Sequence, residues 1–501
     1  MTLDSTAQDT RDIYQKCAEY KQRSPHPSRP HISTTVNPAA WLEIHGLFKL
    51  LKRDDSTENN DELVPEQCEA LGCLCMFVRN AMAMDRTNQD TASRAGISED
   101  IRNTIFSMIA LELEYPEAMK CATAAAQALS NMVTGNKAQQ QKLICDELAP
   151  GGRAGAETIF WSLLTSINSQ TNMAGLMLLL NSLKGDPDLT KMLCSVKPGL
   201  LVARKIGELF GDNEDDESDV KTMLYVILSQ FIEFGCLAQL LKDAPSLEMY
   251  GLLDALAVYC NENTCAEDRA MVASSSALFK SFGVILKQVG SVLESVWIGA
   301  DGDGSDSSDN SSRVEVSKVV SAHRCIAATL SALGSLTTDC SPETVAMMIE
   351  HNVLSQVTSL LGLLSMHLPR IENASALQKS REEGIEDGSS ISRLFMFKRD
   401  LICIIGNAAH KNNDAQNLIR DLDGLALVLD HMKIDDNHPF IKEYAVVALR
   451  SLLDNNSANQ EFVRRMDARG ATQTPASALA GIQQADVDVD VDANAHHDHN
   501  V

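Results

Sequence analysis

Between residues 38 and 466 apolar positions return every three or four residues and are interrupted by short polar breaks. The clearest stretch is at 441–452. There Ile441, Tyr444, Ala445, Ala448, Leu449 and Leu452 follow the i, i+3, i+4, i+7 spacing of one buried helical face. Pro439 falls in the first turn of this helix, read as 439–453, where its missing N–H is not needed. Upstream, 417–437 reads as a short helix, a turn at Asp423–Gly424 and a second helix. One unit is therefore short helix, turn, helix, loop, long helix. Residues 192–210 follow the same grammar with a turn at Pro198–Gly199, and 346–364 with a turn at His351–Asn352.

A spacing recurs with these units. Asn131 is followed nine positions later by Gln140, Asn407 by Gln416, Ser451 by Gln460 and, in a weaker copy, Asn80 by Gln89. In the first three, a mostly apolar pair follows: Lys142/Leu143, Leu418/Ile419 and Phe462/Val463. Asn407 and Ser451 lie 44 residues apart, and a helical repeat of that length is the mark of armadillo or HEAT arrays. Three helices per unit favour armadillo. Each such unit buries its faces only against its neighbours, so the whole forms one elongated core. The predicted fold is an all-α, armadillo-like helical solenoid of about seven to nine irregular repeats. Residues 1–37 and 467–501 are expected to be disordered tails. Residues 38–370 are expected to hold the N-terminal repeats, with acidic loops at 54–62, 212–219 and 301–312. A linker at 371–392 and a C-terminal repeat domain at 393–466 follow.

Composition narrows the chemistry. The 501 residues carry a formal charge of −25 and no dense Lys/Arg cluster, which argues against nucleic acid and against an anionic membrane surface as partners. The most apolar stretch, Met173–Leu180, is far shorter than the roughly 20 residues of a membrane span. The N-terminus opens with acids and lacks a secretory pattern, so a soluble cytoplasmic chain is expected. Thirteen cysteines are dispersed in apolar runs, as reduced core cysteines are. Cys73 and Cys75 point about 200° apart at i, i+2 on a helix and cannot share an ion. A calcium loop counted from Asp301 fails, because Asp306 and Ser312 occupy the places of its Gly and Glu. The glycines of 150–157 lack the Lys-Ser/Thr of a phosphate loop. His496, His497 and His499 lie on the expected C-terminal tail. No catalytic motif is present, and neither a cofactor, a metal nor an enzymatic activity is expected.

Residues 395–460 bear a specific resemblance. The FKRDLI start, the GN-x-A segment, the turn DG-x-x-x-x-L and IDDN-x-PFI-x-E-x-A resemble the C-terminal domain of the ataxin-10 family. CMFVRNA at 75–81 and LSNMVTGN at 129–136 resemble that family's first repeats. The resemblance implies a non-catalytic scaffold acting in the cytoplasm through protein–protein contacts, with a role in cytokinesis and cell division. Self-association is left open. The alternative, drawn from the net charge, is an adaptor or chaperone for basic protein cargo.

Peptide-binding armadillo proteins use an asparagine on the last helix of each unit to bond an extended partner, and Asn80, Asn131 and Asn407 match it by position. Where nuclear-import receptors place Trp four residues earlier, this chain has Met76, Gln127 and Cys403, so nuclear-signal carriage is not expected. Lys398, Arg399, Asp435, Asp436 and Asn437 read as exposed polar residues, either a partner surface or a cap for the helix that follows. Ser218, Ser305, Ser307 and Ser308 sit beside acids in the interruptions and are candidate phosphorylation sites.

Overall fold

The computed structural model describes residues 3–23, 35–51, 64–149, 158–213, 215, 218–242, 249–262, 266–300, 309–338, 341–368, 388–433, 435, 438 and 440–466. Among them every regular element is a helix. Ahead of the array stands α1 (Leu3–Arg23). Unit one is α2 (Pro38–Leu50) and α3 (Val64–Met82). Units two to four are triplets: α4 (Arg86–Arg94), α5 (Ile97–Ala110) and α6 (Pro116–Val133); α7 (Lys137–Leu148), α8 (Ile159–Leu164) and α9 (Ser169–Leu183); α10 (Pro187–Leu193), α11 (Lys197–Asp212) and α12 (Asp219–Glu233). Unit five is α13 (Leu237–Lys242) and α14 (Tyr250–Glu262). Triplets resume with α15 (Ala266–Ala273), α16 (Ser276–Ala300) and α17 (Asp309–Thr337), then α18 (Pro342–Glu350), α19 (Val353–His367) and α20 (Gly388–Ala409). Unit eight is α21 (Asn413–Asp421), α22 (Gly424–Asp430) and α23 (Ile441–Leu453), and α24 (Ser457–Arg464) ends the described chain.

Third helices stack in file, α3 on α6 on α9 on α12, then α14 on α17 on α20 on α23. Second helices make a parallel file, α2–α5–α8–α11 and α13–α16–α19–α22. This is the armadillo-like solenoid, and a single apolar core runs from Cys17 to Leu452.

Local chemistry sets where each unit begins. Among the described residues, a left-handed residue follows six of the third helices, at Met84, Gly135, Gly185, Gly235, Lys411 and Asn455, roughly fifty residues apart in the first half. Glycine meets this conformation without a Cβ clash. Most of these residues are followed by a side chain that caps the next helix. Asp85 accepts from the Asn88 N–H at 2.9 Å, Asn412 from Ala415 at 3.0 Å and Asn456 from Asn459 at 3.0 Å. The turns at Asn352 and Asp423 are also left-handed, and each opens a second helix.

The stacking shifts at unit five. A Cβ on Gly251 would lie 1.9 Å from the Gly207 carbonyl oxygen, and one on Gly211 would lie 2.9 Å from the Gly251 Cα. The second helix α11 therefore meets the third helix α14 backbone to backbone, an approach that only glycine permits. Unit five has no first helix among the described residues.

Three expectations change. Residues 3–23, expected to be disordered, form α1, which lies on α3 and buries Cys17 and Tyr20. The Tyr20 hydroxyl donates to Glu43 at 2.8 Å and its ring meets Phe77 edge-on at 5.1 Å. The helix is polar overall, so its apolar positions count only once α3 is there to receive them. The stretch 301–312, expected to be a loop, already contains the start of α17 at Asp309, and α20 begins at Gly388, inside the expected linker. Met173–Leu180 is also not the most span-like segment. Lys318–Thr337 is long and apolar enough to cross a membrane by length and composition, and half of it is buried inside the fold, against α14 and α20. The acidic run 54–62, residues 301–308 and 371–387 and the tail 467–501 lie outside the described residues.

Candidate interaction surface

The recurring glutamine explains how units are locked. Gln89, wholly buried in α4, shares its two amide hydrogens among the carbonyls of Met82 (3.3 Å), Asn131 (2.7 Å) and Thr134 (3.3 Å). Its Oε1 accepts from Asn136 Nδ2 at 3.1 Å. Gln416 in α21 repeats this arrangement with Ala409 (3.1 Å), Ser451 (2.8 Å) and Asp454 (3.1 Å), and accepts from Asn456 at 3.0 Å. One side chain thus satisfies the free carbonyls that end two successive third helices. Gln140 donates to Asn181 O at 2.6 Å and Gln460 to Leu453 O at 2.9 Å.

The third-helix asparagines belong to the same lattice. Asn131 Nδ2 donates to Arg79 O at 2.8 Å, Asn181 to Ser130 Oγ at 2.9 Å and Asn407 to Thr337 Oγ1 at 3.3 Å. Asn80 accepts from Arg79 Nε at 3.0 Å. Asn80, Asn131 and Asn407 are half-buried along the third-helix file, each with its amide engaged inside the fold.

At the centre of this file a groove of about 340 Å³ is lined by Lys221, Asp254, Val258, Asn261, Ala327 and Ser331. Burial pushes the Asp254 carboxyl up to about 6, against the opposing pull of Arg324 and Lys221. Arg324 lies over the Tyr250 ring at 4.6 Å and 3.6 Å from Asp212, and Lys221 lies over Phe210 at 5.1 Å. The groove therefore mixes charges and is not a continuous acidic surface. Ser218 caps α12, accepting from the Lys221 N–H at 3.1 Å; Ser305, Ser307 and Ser308 lie outside the described residues. A cleft of about 780 Å³ on the second-helix side holds His45 Nδ1 at 2.5 Å from Asp100, with Gly96 leaving no room for a Cβ against the imidazole.

Two of the C-terminal polar residues are not on the surface expected of them. Lys398 and Asp435 are 2% and 3% exposed, not on the surface. Asp435, although it follows α22 in the chain, comes near Lys398 of α20, which sequence spacing does not reveal. Lys398 Nζ donates to the Leu368 carbonyl. Burial lowers the lysine's affinity for its proton, and Asp435 and Asp430 oppose that shift. At the start of α23, Phe440 itself makes no side-chain cap bond. Asp436, Asn437 and Pro439 lie outside the described residues. Arg399 is half-exposed and bonds Asp400 at 2.7 Å.

Beside the exposed Lys442, Glu443 and Arg450, this end also presents apolar side chains to solvent. Phe440 is 67% exposed, Val447 65% and Tyr444 40%. In the register that aligns Ser451 with Asn407, Val447 and Phe440 take the places of Cys403 and Met396 on α20, and Met396 is also exposed. The Arg399 guanidinium lies 6.0 Å from the Tyr444 ring and joins the two helices across this face.

Residues 397–497 match the model of the spinocerebellar ataxia type 10 protein domain. By this segment the chain resembles the ataxin-10 family. Ataxin-10 of Xenopus tropicalis is 41% identical over 87 residues, which is 17% of this chain and 18% of that protein. The ataxin-10 homolog of Saccharomyces cerevisiae is 43% identical over 83 residues, 17% of this chain and 15% of its own. The matched segment thus spans less than a fifth of these relatives. Among solved structures, SYS-1 aligns over 88% of this chain and 75% of its own at 12% identity and a TM-score of 0.33. An engineered protein aligns over 88% and 94% at 13% identity and a TM-score of 0.29. The fold assignment rests on the stacking of the chain's own helices. The part shared with the ataxin-10 relatives holds the Gln416 lock, the buried Lys398–Asp435 pair and the exposed apolar face of α23.

Proposed function

We propose that this chain is a non-catalytic scaffold that binds protein partners along its third-helix face, chiefly at the C-terminal end. The observation that carries the reading is the apolar patch of Met396, Phe440, Tyr444 and Val447. Exposed apolar groups clustered on one face of a soluble fold mark contact sites. A cytoplasmic location and a role in cytokinesis and cell division belong to the same proposal and rest on the resemblance of residues 395–460 to the ataxin-10 C-terminal domain. The mixed charge of the central groove gives the basic-cargo reading no support.

Phe440→Glu with Val447→Glu tests this, because both side chains are largely exposed and their exchange leaves the core intact. Full-length wild-type and variant chains are used to capture partners from dividing cells and compared by quantitative mass spectrometry. The scaffold reading expects partners held in 0.5 M salt to fall at least tenfold on the variant, with an unchanged thermal midpoint. Equal recovery on both chains refutes it. Release of all partners by salt alone would favour basic cargo.

A further inference from the structure

The six left-handed residues that follow third helices share a feature one residue later. At five of them the next residue is Asp or Asn, and its side chain caps the helix that follows: Asp85, Asn136, Asp186, Asn412 and Asn456. At the sixth, after Gly235, it is Cys236. Asn136 and Asn456 also reach back to the preceding first helix. Asn136 Nδ2 meets Gln89 and Asp90 there, and Asn456 Nδ2 meets Gln416 and Asn417. The joint between units four and five is built differently. Four residues after the cap position, where the lock glutamines stand, α10 has Thr190 and α13 has Leu240. What α10 offers instead is Cys194, one helical turn beyond Thr190, and its thiol faces Cys236.

Both thiols are enclosed, Cys194 at 1% exposure and Cys236 at 4%, and both belong to the apolar core. Their backbones are fixed on either side of the joint. The Cys194 N–H donates to Thr190 O at 3.1 Å in the last turn of α10, and the Cys236 N–H to Phe231 O at 2.8 Å at the end of α12. Two sulfurs held against each other by separate elements can bond without large backbone movement. The two are not equivalent. Contact with Cys236 and burial push the Cys194 thiol up, whereas contact with Cys194, helped by Lys191 of α10, pulls Cys236 down against its burial. Cys236 is therefore the readier thiolate, and the thiolate is the form that attacks a disulfide. Cys75 and Cys121 also touch, but they lie wholly enclosed between the long helices α3 and α6, where no short element can open.

We propose that Cys194 and Cys236 form a reversible disulfide site that bolts unit four to unit five, at the joint where a thiol stands in the place of the Asp or Asn cap. The oxidant is a low-molecular-weight disulfide of the glutathione class. Helix α13 is six residues long, so the joint opens locally at far less cost than the array unfolds. In the opened joint the Cys236 thiolate attacks one sulfur of the oxidant. A mixed disulfide forms, and the glutathione expelled takes up the proton that Cys236 lost. Cys194 then gives up its proton and attacks the Cys236 sulfur, and the second glutathione leaves with that proton. Two protein thiols are oxidised and one glutathione disulfide is reduced to two thiols. The bond ties the end of α10 to the start of α13, across the unit whose α11 crosses α14 backbone to backbone. Openings that part α10 from α13 are then barred.

The test treats the folded, reduced full-length chain with graded glutathione disulfide, blocks the remaining thiols, digests with trypsin and reads the peptides by mass spectrometry. Peptides 192–204 and 222–242 carry one cysteine each, so a cross-link between them reports this bond alone. It should form before Cys75 or Cys121 is oxidised, and dithiothreitol should reverse it. In the oxidised chain, hydrogen exchange over 237–242 should slow at least about tenfold while α3 is unchanged. Cys194→Ser should abolish both the cross-link and the slowing. No cross-link, a Cys236 that carries only glutathione, or oxidation of Cys75 and Cys121 in step with the pair overturns the proposal. So does a cross-link that leaves exchange over 237–242 as it was. If Cys194→Ser lacks protection in α13 before oxidation, Cys194→Ala makes the same comparison with the same outcomes. The chemistry is read on the isolated chain, so it stands or falls independently of partner capture.

Discussion

Gln416→Ala removes one side chain and, by the geometry of the lock, four hydrogen-bond contacts at once. The two amide hydrogens serve the carbonyls of Ala409, Ser451 and Asp454, and Oε1 receives Asn456 Nδ2. Gln416 is wholly buried, so water does not replace these bonds unless the unit opens. At about 1 kcal/mol for each of the three satisfied hydrogens, the loss is about 3 kcal/mol. In a solenoid that loss is local, because each unit is held only by its neighbours. The expected result is a fall of about a hundredfold in hydrogen-exchange protection across α23 and α24, with α6 and α9 unchanged. Gln416→Glu should be at least as damaging, since a carboxylate cannot donate to three carbonyls. Gln89→Ala should reproduce the effect at the other end, in α6 and α7, and leave α23 alone. A loss below 1 kcal/mol, or a loss spread evenly over the array, would show that the lock does not hold units together.

Two further outcomes test other parts of the fold. Glu147 is buried, paired with Arg102 Nε at 2.6 Å and bonded by the Ile159 N–H at 2.8 Å, and burial raises its pKa despite the arginine. Arg102→Met should cost about 3 kcal/mol at pH 7, and part of that cost should disappear near pH 5 as the stranded carboxyl takes a proton; a cost independent of pH in chemical denaturation would refute the pairing. Gly251→Ala forces apart two backbones and should lower stability by at least about 2 kcal/mol. Gly334→Ala meets nothing within 4 Å on α17 and should raise stability by about 0.5 kcal/mol, and equal thermal midpoints for the two variants would contradict the close crossing at unit five.

How far the chain could be read in advance differs between its parts. The unit of short, middle and long helix was legible at 417–453 because periodicity and turn residues are local properties: the apolar face and the turn at Asp423 both act within a few residues. The Asn-to-Gln spacing was legible as a repeat, but its purpose was not. Gln416 meets Ser451 and Asp454 only after α21 and α23 are packed. Lys398 and Asp435 were misjudged for the same reason. Charged residues at a helix entry or in a connection read as solvated, and only tertiary packing buries Lys398 and Asp435.

The amino-acid sequence by itself determined that the chain is helical, that its units repeat and that turns fall at Asn352 and Asp423, because these follow from side-chain spacing and backbone preference over one or two turns. The turn expected at Pro198–Gly199 instead lies inside the first turn of α11. Tertiary structure alone decided that polar α1 finds an apolar seat on α3 and that Gly207 and Gly251 bring α11 and α14 into contact. It also decided that Lys398 and Asp435 are enclosed while Phe440 and Val447 stand in solvent. Periodicity tells which face of a helix is apolar, but what meets that face depends on residues tens to hundreds of positions away, and that meeting sets the energy of every buried polar group.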